Sequence, residues 1–563
     1  MAGCLLAALS LAITSAATAG AALPARLSSR TQLRAALDVR ASPARLPSRT
    51  QLRAALDVRR ALVSSLHAEG TDCYRILAAA EGAPGAGVVI DRYGGTIFVQ
   101  TFRQPLLPLP EDFSSDEDAE TTDSLCAELL GLADEAAAAL GLAGAPRVLL
   151  SHRGRGLAQR ARGPDQTYAA LNCALADLQG QAPETCTEFG LPIEAALVPG
   201  RDPGIFLDFR AGRRWLRDEV ARRYATSGAG PRLLHVCNVF SYTCTAGVAT
   251  AAAAATVGGV GAFVLNVDHA QSSLEMGRRN AAAALAALSA LSPLAAQASL
   301  VESSPTGAGE EAGFACLRAD ALAALRVFAG VQTADNRNRR AAAGNGRGGR
   351  GGGGGGRARS AQGLAVGGGG SGGGDAELEA FALKSGGAPR QFDILVLDGA
   401  ATQAGCGARA PAMRWVQHGA LLLDELLASP PTFAKGPHGA VDIVNDYQSL
   451  LKPALLALAP GGALLATNHA ASVELAEWLL LLERCAAKAG RPLACSPEVI
   501  EPELDFPPTS PAALEGLSAG FEGDGDPGAD GQHADGGARA GGSQLTSERP
   551  SHLLKMAVLR VPY

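Results

Sequence analysis

Aromatic residues, lysines and paired cysteines are scarce in this chain. Aromatic residues make up 4% of its 563 residues, arginine supplies almost all of the positive charge, and alanine and glycine are over-used. The 11 cysteines are odd in number and scattered, without a C-x-x-C pair. This spacing indicates neither a disulfide framework nor a zinc site, so we expect a reducing compartment and no bound metal.

Charge and hydropathy exclude two further classes of protein. A formal net charge of −6 argues against a protein that holds nucleic acid non-specifically over its whole surface. Any contact with RNA must then come from local basic patches. Beyond the N-terminal segment no apolar run is long enough to span a bilayer, so we expect no membrane partner. The sequence does not indicate an oligomeric state.

The first 70 residues resemble a leader. Residues 1–24 are apolar and rich in small side chains, and no acidic residue precedes Asp38, which is typical of a chloroplast or mitochondrial transit segment. A secretory signal and a cytoplasmic protein are the alternatives. Residues 25–40 recur almost unchanged as residues 44–59, a duplication to which we assign no function. We predict that residues 1–70 are disordered.

A chain of this length is too long for one core, so we expect two domains. Residues 71–187 are predicted to form a small α+β domain that binds the substrate, and residues 188–563 a second domain. The elements expected in the first domain are a hairpin at 87–102, an acid-rich exposed loop at 111–123, a helix at 124–140 and a strand at 147–151.

Two glycine-rich segments, 335–376 and 520–547, interrupt the second domain and are predicted to be disordered. The first contains an arginine–glycine tract. Such tracts can bind RNA, but those that do usually interleave aromatic residues for base stacking, and this one has none. A flexible insertion is therefore favoured over an RNA tether.

Residues 233–268 carry the strongest local pattern. They read as a buried strand, a polar turn, an alanine-rich helix and a second buried strand that ends in Asp268. In a parallel sheet, ligands bind at the carboxyl ends of the strands, where a carboxylate suits the two hydroxyls of a ribose. The turn lacks G-x-G-x-x-G, which disfavours a nicotinamide-dependent oxidoreductase and favours a nucleoside without phosphates, such as S-adenosylmethionine. A structural βαβ unit that binds nothing is the alternative.

Later strands continue this pattern of polar ends. The strand at 315–318 leads to Asp320, and the strand at 392–397 leads to Asp398. A third, at 463–467, follows a Pro-Gly-Gly turn, and a last strand is expected at 552–561. Because the carboxyl ends of parallel strands meet at one edge, these acids are expected to lie near Asp268.

Several motifs, taken in order, are similar to those of a known family. They are CYRIL (73–77), IDRYGGTIFVQ (90–100), GIFLDFRAGRRWL (204–216), NVFSYT (238–243), NVD (266–268), RADAL (318–322), FDILVLD (392–398) and PPTF (430–433). The chain resembles the class I S-adenosylmethionine-dependent methyltransferases that modify large-subunit ribosomal RNA, the bacterial guanine-N7 and cytosine-C5 enzymes and their organellar relatives. The resemblance covers the chain from about residue 71, apart from the two glycine-rich segments.

The resemblance implies a fold and a cofactor. The fold is α/β, a Rossmann-like class I methyltransferase sheet that is mostly parallel, with the last strand antiparallel, preceded by a small α+β domain. The cofactor is S-adenosyl-L-methionine. The residues expected to bind it are Asp268 at the ribose, Asp320 at the adenine amino group, Asn238, Phe240 and Thr243 in the cofactor loop, and Asp208 and Arg210 in an element that closes over it. Relatives place a glycine where Cys244 stands.

The target-base pocket departs from the family pattern. In relatives the strand FDILVLD runs directly into D-P-P-[ST]-F, whereas here residues 399–429 separate Asp398 from PPTF. This segment is either a surface-loop insertion or retained non-coding sequence. The residues expected to form the catalytic pocket are Asp398, Pro430, Pro431, Phe433 and Asn468, with His469 as a weaker candidate for a base.

The nature of the modified base follows from a missing nucleophile. Cytosine-C5 methylation needs a cysteine that attacks C6, and relatives carry it just after the strand at 463–467, where this chain has Asn468 and His469. A guanine ring nitrogen, with N7 the leading case, is therefore favoured. A catalytically impaired RNA-binding relative is the alternative.

The partner implied is ribosomal RNA. The loop 151–163 contains four arginines at the end of a strand, which are candidate phosphate contacts: Arg153, Arg155, Arg160 and Arg162. A solvated run of charge explains the same pattern equally well.

Overall fold

The computed structural model describes these parts of the chain: residues 48–78, 88–101, 116–142, 146–152, 168–170, 184–197, 203–226, 233–257, 261–291, 312–331, 391–398, 433–436, 439–442, 447–469, 473–506 and 554–563. The predicted insertions at 335–376, 399–429 and 520–547 and the first 47 residues lie outside them.

The helices, in chain order, are α1 (Arg49–Ala68), α2 (Asp116–Ala139), α3 (Arg210–Thr226), α4 (Thr245–Thr256), α5 (Gln271–Leu291), α6 (Ala321–Phe328), α7 (Tyr447–Leu456) and α8 (Leu475–Lys488). The strands are β1 (Cys73–Leu77), β2 (Val88–Tyr93), β3 (Thr96–Thr101), β4 (Arg147–His152), β5 (Tyr168–Ala170), β6 (Glu184–Glu188), β7 (Leu191–Ala195), β8 (Leu234–Val239), β9 (Ala262–Asp268), β10 (Gly313–Arg318), β11 (Phe392–Leu397), β12 (Phe433–Gly436), β13 (Gly439–Asp442), β14 (Leu458–Asn468), β15 (Glu498–Ile500) and β16 (Lys555–Arg560).

Helix α1 corrects the prediction that residues 1–70 are disordered. Ser48 and Gln51 form a reciprocal capping box at its start: the Ser48 hydroxyl accepts the Gln51 N–H at 3.2 Å, and the Gln51 side chain accepts the Ser48 N–H at 2.8 Å. Apolar residues at helical spacing, including Leu52, Leu56 and Leu66, then bury one face of the helix. The second copy of the duplicated segment thus supplies the first helix of the small domain.

The small domain is built on a five-stranded sheet with the order β1-β2-β3-β4-β5, in which only the β3–β4 pair is parallel. The predicted hairpin is confirmed as β2 and β3. Gly94 at its turn has a φ of +57°, and a Cβ there would lie 2.8 Å from the Thr185 carbonyl, so glycine is required. Helix α2 begins at Asp116, inside the predicted loop 111–123, because acidic residues favour a helix N-terminus.

The second domain contains a seven-stranded sheet with the order β10-β9-β8-β11-β14-β16-β15. The first five strands are parallel, and β16 is antiparallel to both of its neighbours. The chain moves outward from β8 through β9 to β10 and then crosses to β11 on the other side of β8. The strand order therefore reverses between β8 and β11, which is where open α/β sheets bind ligands.

Helices cover both faces of this sheet, which explains why its strands are continuously apolar. One face, with Cys237, Phe263 and Leu395, packs against α6, α7 and α8. The other, with Val236 and Val264, packs against α3, α4 and α5. Within the described ranges, no helix combines the length and the apolar character that a membrane span needs.

Buried hydrogen bonds to Asp505 join the two domains. Its carboxylate binds the Arg210 guanidinium at 2.6 Å and accepts the Arg75 backbone N–H at 3.1 Å, while its carbonyl accepts from Arg59 at 3.2 Å. Arg210, Arg59 and Asp505 are all fully buried. Helix α1, strand β1 and helix α3 are therefore all held to one residue, Asp505, in the segment that follows β15.

Candidate active site

The loop between β8 and α4 has an unusual backbone. Three of its residues lie in the left-handed region, with φ of +59° at Phe240, +48° at Tyr242 and +60° at Cys244. For residues other than glycine each such conformation costs roughly 1–3 kcal/mol and persists only where surrounding contacts impose it. Backbone strain of this kind is concentrated at ligand sites. This segment, residues 240–244, is called the cofactor loop below.

Asp268, at the end of β9, is one of the groups that hold the cofactor loop. Its carboxylate accepts the backbone N–H of Tyr242 at 2.8 Å and that of Ala270 at 2.9 Å. Burial raises the pKa of the Asp268 carboxyl, and the two backbone hydrogen bonds oppose this rise. Each carboxylate oxygen has a further lone pair, so the side chain can still accept hydrogen bonds from two hydroxyl groups.

The segment before α3 packs directly on the cofactor loop. The Thr243 hydroxyl donates to the carbonyl of Gly204, and the ring of Phe206 lies 5.1 Å from that of Tyr242. Gly204 has a φ of +91°, and a Cβ there would lie 2.9 Å from the Glu194 carbonyl, so no side chain fits. The loop is thus held between the sheet and residues 204–206.

The amide of Asn238 has a structural partner. Its Nδ2 donates to Asn266 Oδ1 on the neighbouring strand at 3.0 Å, and Asn266 Nδ2 donates onward to the Ala315 carbonyl at 3.3 Å. A Cβ at Gly247 would lie 2.9 Å from Asn266 Cγ, so helix α4 approaches this pair closely. Asn238, predicted to line the cofactor loop, instead joins β8 to β9 beneath it.

Asp320 is the N-cap of helix α6. Its side chain accepts the Ala323 backbone N–H at 2.9 Å. The structure does place it at the predicted edge, because the next residue back, Ala319, donates its N–H to the Asp268 carbonyl at 3.0 Å. Oδ1 of Asp320 accepts this capping hydrogen bond, which leaves Oδ2 for the predicted contact with the adenine amino group.

Arg210 corrects the prediction that it closes over the cofactor. Its side chain is fully buried and binds Glu503 at 2.7 Å, Asp505 at 2.6 Å and the Cys73 carbonyl. Burial lowers the pKa of the guanidinium, and the two carboxylates more than reverse this, so the net pKa is raised. The nearby Asp208 acts electrostatically on Arg75 and Asp91 in the small domain. The residues that do contact the loop are Gly204 and Phe206.

A second polar cluster lies on the other side of β8, at the ends of β11 and β14. The Asp398 N–H donates to the Val239 carbonyl at 3.4 Å, next to the cofactor loop. The Asp398 carboxylate accepts from the Thr467 hydroxyl at 2.8 Å and lies 3.4 Å from His469 Nε2. Asp398, Thr467, Asn468 and His469 are all buried. The predicted catalytic residues Asp398 and Asn468 are therefore brought to one edge.

The remaining predicted residues are not placed. Pro430, Pro431 and the four arginines Arg153, Arg155, Arg160 and Arg162 lie outside the described residues, and Phe433 is described only as the first residue of β12. The sequence reading overlooked Thr467 and Gly277. Gly277 lies inside helix α5, and an isolated glycine within a helical pattern is a signal of close packing that was available.

Comparison with known proteins finds one family model that matches part of the chain. Residues 144–298, which include the cofactor loop and Asp268, match the family model described as S-adenosylmethionine-dependent methyltransferase. The sheet domain is thus similar to the S-adenosylmethionine-dependent methyltransferases over its first two strands, and it is called the methyltransferase domain below. The match ends before β10, so Asp398 and His469 of the methyltransferase domain lie outside it. No curated protein matches the chain.

Solved structures resemble the chain weakly. SMU.776, named as a methyltransferase and complexed with SAH, is 15% identical, with a TM-score of 0.43, over 92% of this chain and 83% of its own. A structure named as a SAM-dependent methyltransferase from Streptococcus mutans gives the same values. A SAM-dependent methyltransferase from Agrobacterium tumefaciens is 15% identical, with a TM-score of 0.35, over 73% of this chain and 80% of its own. Similarities this low carry no information about the substrate.

The residues of the methyltransferase domain fit S-adenosylmethionine. Asp268 offers a buried carboxylate with unused lone pairs for the ribose hydroxyls. Helix α4 begins at the cofactor loop without a side-chain cap, so its first N–H groups are available to the carboxylate of the methionine moiety. S-adenosylmethionine bound at this site would supply a methyl group carried on a sulfonium.

Proposed function

We propose that the protein methylates a base of RNA and that its substrate is large-subunit ribosomal RNA. The observation that carries the proposal is the position of two buried carboxylates on either side of β8. Asp268, on β9, lies on the side where the methyl donor would bind, and Asp398, after β11, lies on the side where the base to be methylated would bind. The strand order reverses between β8 and β11, so both carboxylates lie at the ligand edge of the sheet.

The small domain supports a large substrate rather than a small one. Its helix α1 and strand β1 are held to the methyltransferase domain through Asp505 and Arg210. A second domain held firmly beside a catalytic edge extends the surface on which a polynucleotide can lie. The ordered motifs of the ribosomal RNA enzymes run through both domains, which favours the same class of substrate.

The residues at the acceptor edge favour a nitrogen atom of the base. Thr467 and Asn468 end strand β14 and His469 follows it, and none of them is the cysteine that attack on cytosine C6 requires. A base nitrogen has its own lone pair and needs no covalent activation. A guanine ring nitrogen is therefore the first candidate, with Asp398 and Asn468 as hydrogen-bonding partners of the base.

A catalytically impaired RNA-binding relative is the second candidate. Cys244 supports it, since it has a φ of +60° and stands where relatives have glycine. The separation of Asp398 from Pro430 by residues 399–429 supports it as well.

The test uses the purified full chain, ribosomal RNA transcripts and methyl-labelled S-adenosylmethionine. We expect label in the RNA, recovered as one methylated nucleoside after digestion. Asp268→Ala should abolish incorporation, whereas Asp134→Ala, which removes an exposed carboxylate on α2, should not. Cofactor binding without transfer to any RNA would support the impaired relative and contradict the proposal.

A further inference from the structure

His469 follows the last residue of β14 and faces Asp398 with one ring nitrogen. The side chain is buried, and its Nε2 lies 3.4 Å from Asp398 Oδ1. The two groups are close, yet not aligned as a hydrogen bond, so Nε2 is buried without a hydrogen-bond partner in the described part of the chain. Hydrogen bonds between catalytic groups are often long or poorly aligned before the substrate binds, and they shorten in the complex.

The Asp398 carboxylate is fixed independently of the histidine. The Thr467 hydroxyl donates to the same oxygen, Oδ1, at 2.8 Å, and Tyr447 in turn donates its hydroxyl to the Thr467 carbonyl at 3.0 Å. A carboxylate held in this way can orient an imidazole and stabilise its protonated form.

Two further ionisable groups of neighbouring elements lie near this pair. Burial raises the pKa of the Tyr447 hydroxyl, so that group stays neutral. Lys555 on β16 lies opposite Asn468 in the antiparallel β14–β16 pair. Burial lowers the pKa of the Lys555 ammonium to about 8, and the charge of Glu474 opposes this effect. Asp398, whose carboxylate lies 3.4 Å from Nε2, is the group whose charge stabilises a protonated His469.

We propose that His469, oriented by Asp398, accepts a proton from the atom that is methylated, and that this atom is a base nitrogen bearing hydrogen. The inference rests on the proposed function and narrows its substrate. Among the guanine ring nitrogens, N1 carries hydrogen and N7 does not. N1 therefore replaces N7 as the leading case, and exocyclic amino nitrogens meet the same requirement.

The reaction balances with the groups named. The base nitrogen forms a bond to the methyl carbon of the sulfonium donor, and the electrons of the broken S–CH3 bond remain on sulfur as a neutral thioether. The N–H proton passes to His469. The positive charge that leaves the sulfonium thus reappears as an imidazolium beside the Asp398 carboxylate. His469 is a catalytic residue in this scheme, and Asp398 is a positioning residue.

The experiment measures single-turnover methylation of ribosomal RNA by the full chain at saturating donor, as a function of pH. The wild-type rate should rise with pH and then level off, as expected for a general base that acts in its unprotonated form. His469→Gln should lower the rate about 10²- to 10⁴-fold and remove this rise. Asp398→Asn should move the rise to lower pH, because an imidazolium without its carboxylate is a stronger acid.

Controls separate chemistry from folding. His235→Gln alters another histidine, at the opposite end of β8, and should leave the pH profile unchanged. If His469→Gln proves unfolded by thermal denaturation, His469→Ala with added imidazole replaces it, and rescue of the rate is expected. Donor affinity, measured by calorimetry, should be the same in wild type and variant.

The identity of the product decides the inference. Recovery of a guanine methylated at N1, or of a base methylated at an amino nitrogen, supports it. Recovery of 7-methylguanine or 5-methylcytosine overturns it and leaves the proposed function standing. An unchanged pH profile in His469→Gln overturns it too. If wild type methylates no RNA, the proposed function itself fails, and this inference fails with it.

Discussion

Cys244 and Gly277 occupy adjoining space between the cofactor loop and helix α5. A Cβ placed on Gly277 would lie 2.8 Å from Cys244 Cβ and 3.2 Å from the Thr243 carbonyl, and nearer still to Cys244 Sγ. The missing side chain at residue 277 thus makes room for the side chain of Cys244. The thiol is fully buried, and burial raises its pKa. Cys244 is therefore a packing residue rather than a reactive thiol.

The Cys244–Gly277 contact predicts a non-additive pair of substitutions. Gly277→Ala should destabilise the protein by roughly 1–3 kcal/mol, since it overpacks a filled space. In a Cys244→Gly background the same change should cost clearly less, because the two nearest atoms, Cys244 Sγ and Cβ, are gone. Urea unfolding of the four proteins measures the coupling. Effects that add to within about 0.5 kcal/mol would show that the two residues do not compete for space.

Asp268 predicts how cofactor affinity varies with pH. The ionised carboxylate is the better acceptor for ribose hydroxyls, and the pKa of Asp268 is raised by burial. Affinity for S-adenosylmethionine should therefore begin to fall at a higher pH than for an ordinary aspartate, as the pH is lowered through this raised pKa. Calorimetry across the acid range tests this. Asp268→Ala should bind the cofactor far more weakly at every pH, and unchanged binding would remove Asp268 from the site.

Glu219 predicts a loss of stability in acid. Burial tends to raise its pKa, but hydrogen bonds from Arg222 and Arg560 and the charge of Arg223 lower it to about 2, below the ordinary glutamate value of 4.5. The stabilisation is therefore complete above pH 4.5 and is lost as the pH falls towards 2. Glu219→Gln should be less stable at neutral pH by roughly 1–3 kcal/mol and should lose less stability in acid. Glu275→Gln, at an exposed position on α5, is the control, and equal acid sensitivity in both variants would contradict the assignment.

Arg210 predicts the energetic coupling of the two domains. Arg210→Met leaves Asp505 buried without its cation and should cost roughly 3–5 kcal/mol. Arg279→Met removes a similar two-point contact with Glu194, but that arginine is 57% exposed, so the cost should stay within about 1 kcal/mol. Denaturant unfolding followed with separate probes in each domain should become non-coincident in Arg210→Met. Equal costs in the two variants would show that burial does not set the strength of the pair.

The elements of the methyltransferase sheet were largely predictable from local pattern. Buried strands show as apolar runs, and the strands expected near residues 233–236, 263–267 and 392–397 are confirmed as β8, β9 and β11. The ends of the strands were predictable too, since a polar residue at the end of a buried parallel strand either binds a ligand or caps the helix that follows. The disorder predicted for residues 48–70 is wrong, because a capping box and apolar residues at helical spacing make this segment a helix that packs on the small domain.

The sequence by itself determined the order of strands and helices, the carboxylates at the strand ends and the family of the cofactor-binding segment, because all of these depend on neighbouring residues. Only the tertiary structure decided what each polar side chain does. Asn238 bonds to Asn266, Arg210 to Asp505, and His469 faces Asp398. The partners are 28 to 295 residues apart in sequence, and burial makes the hydrogen bonds of Asn238 and Arg210 obligatory. Local pattern cannot specify contacts of that range, so the roles of these residues emerge only when the sheet is assembled.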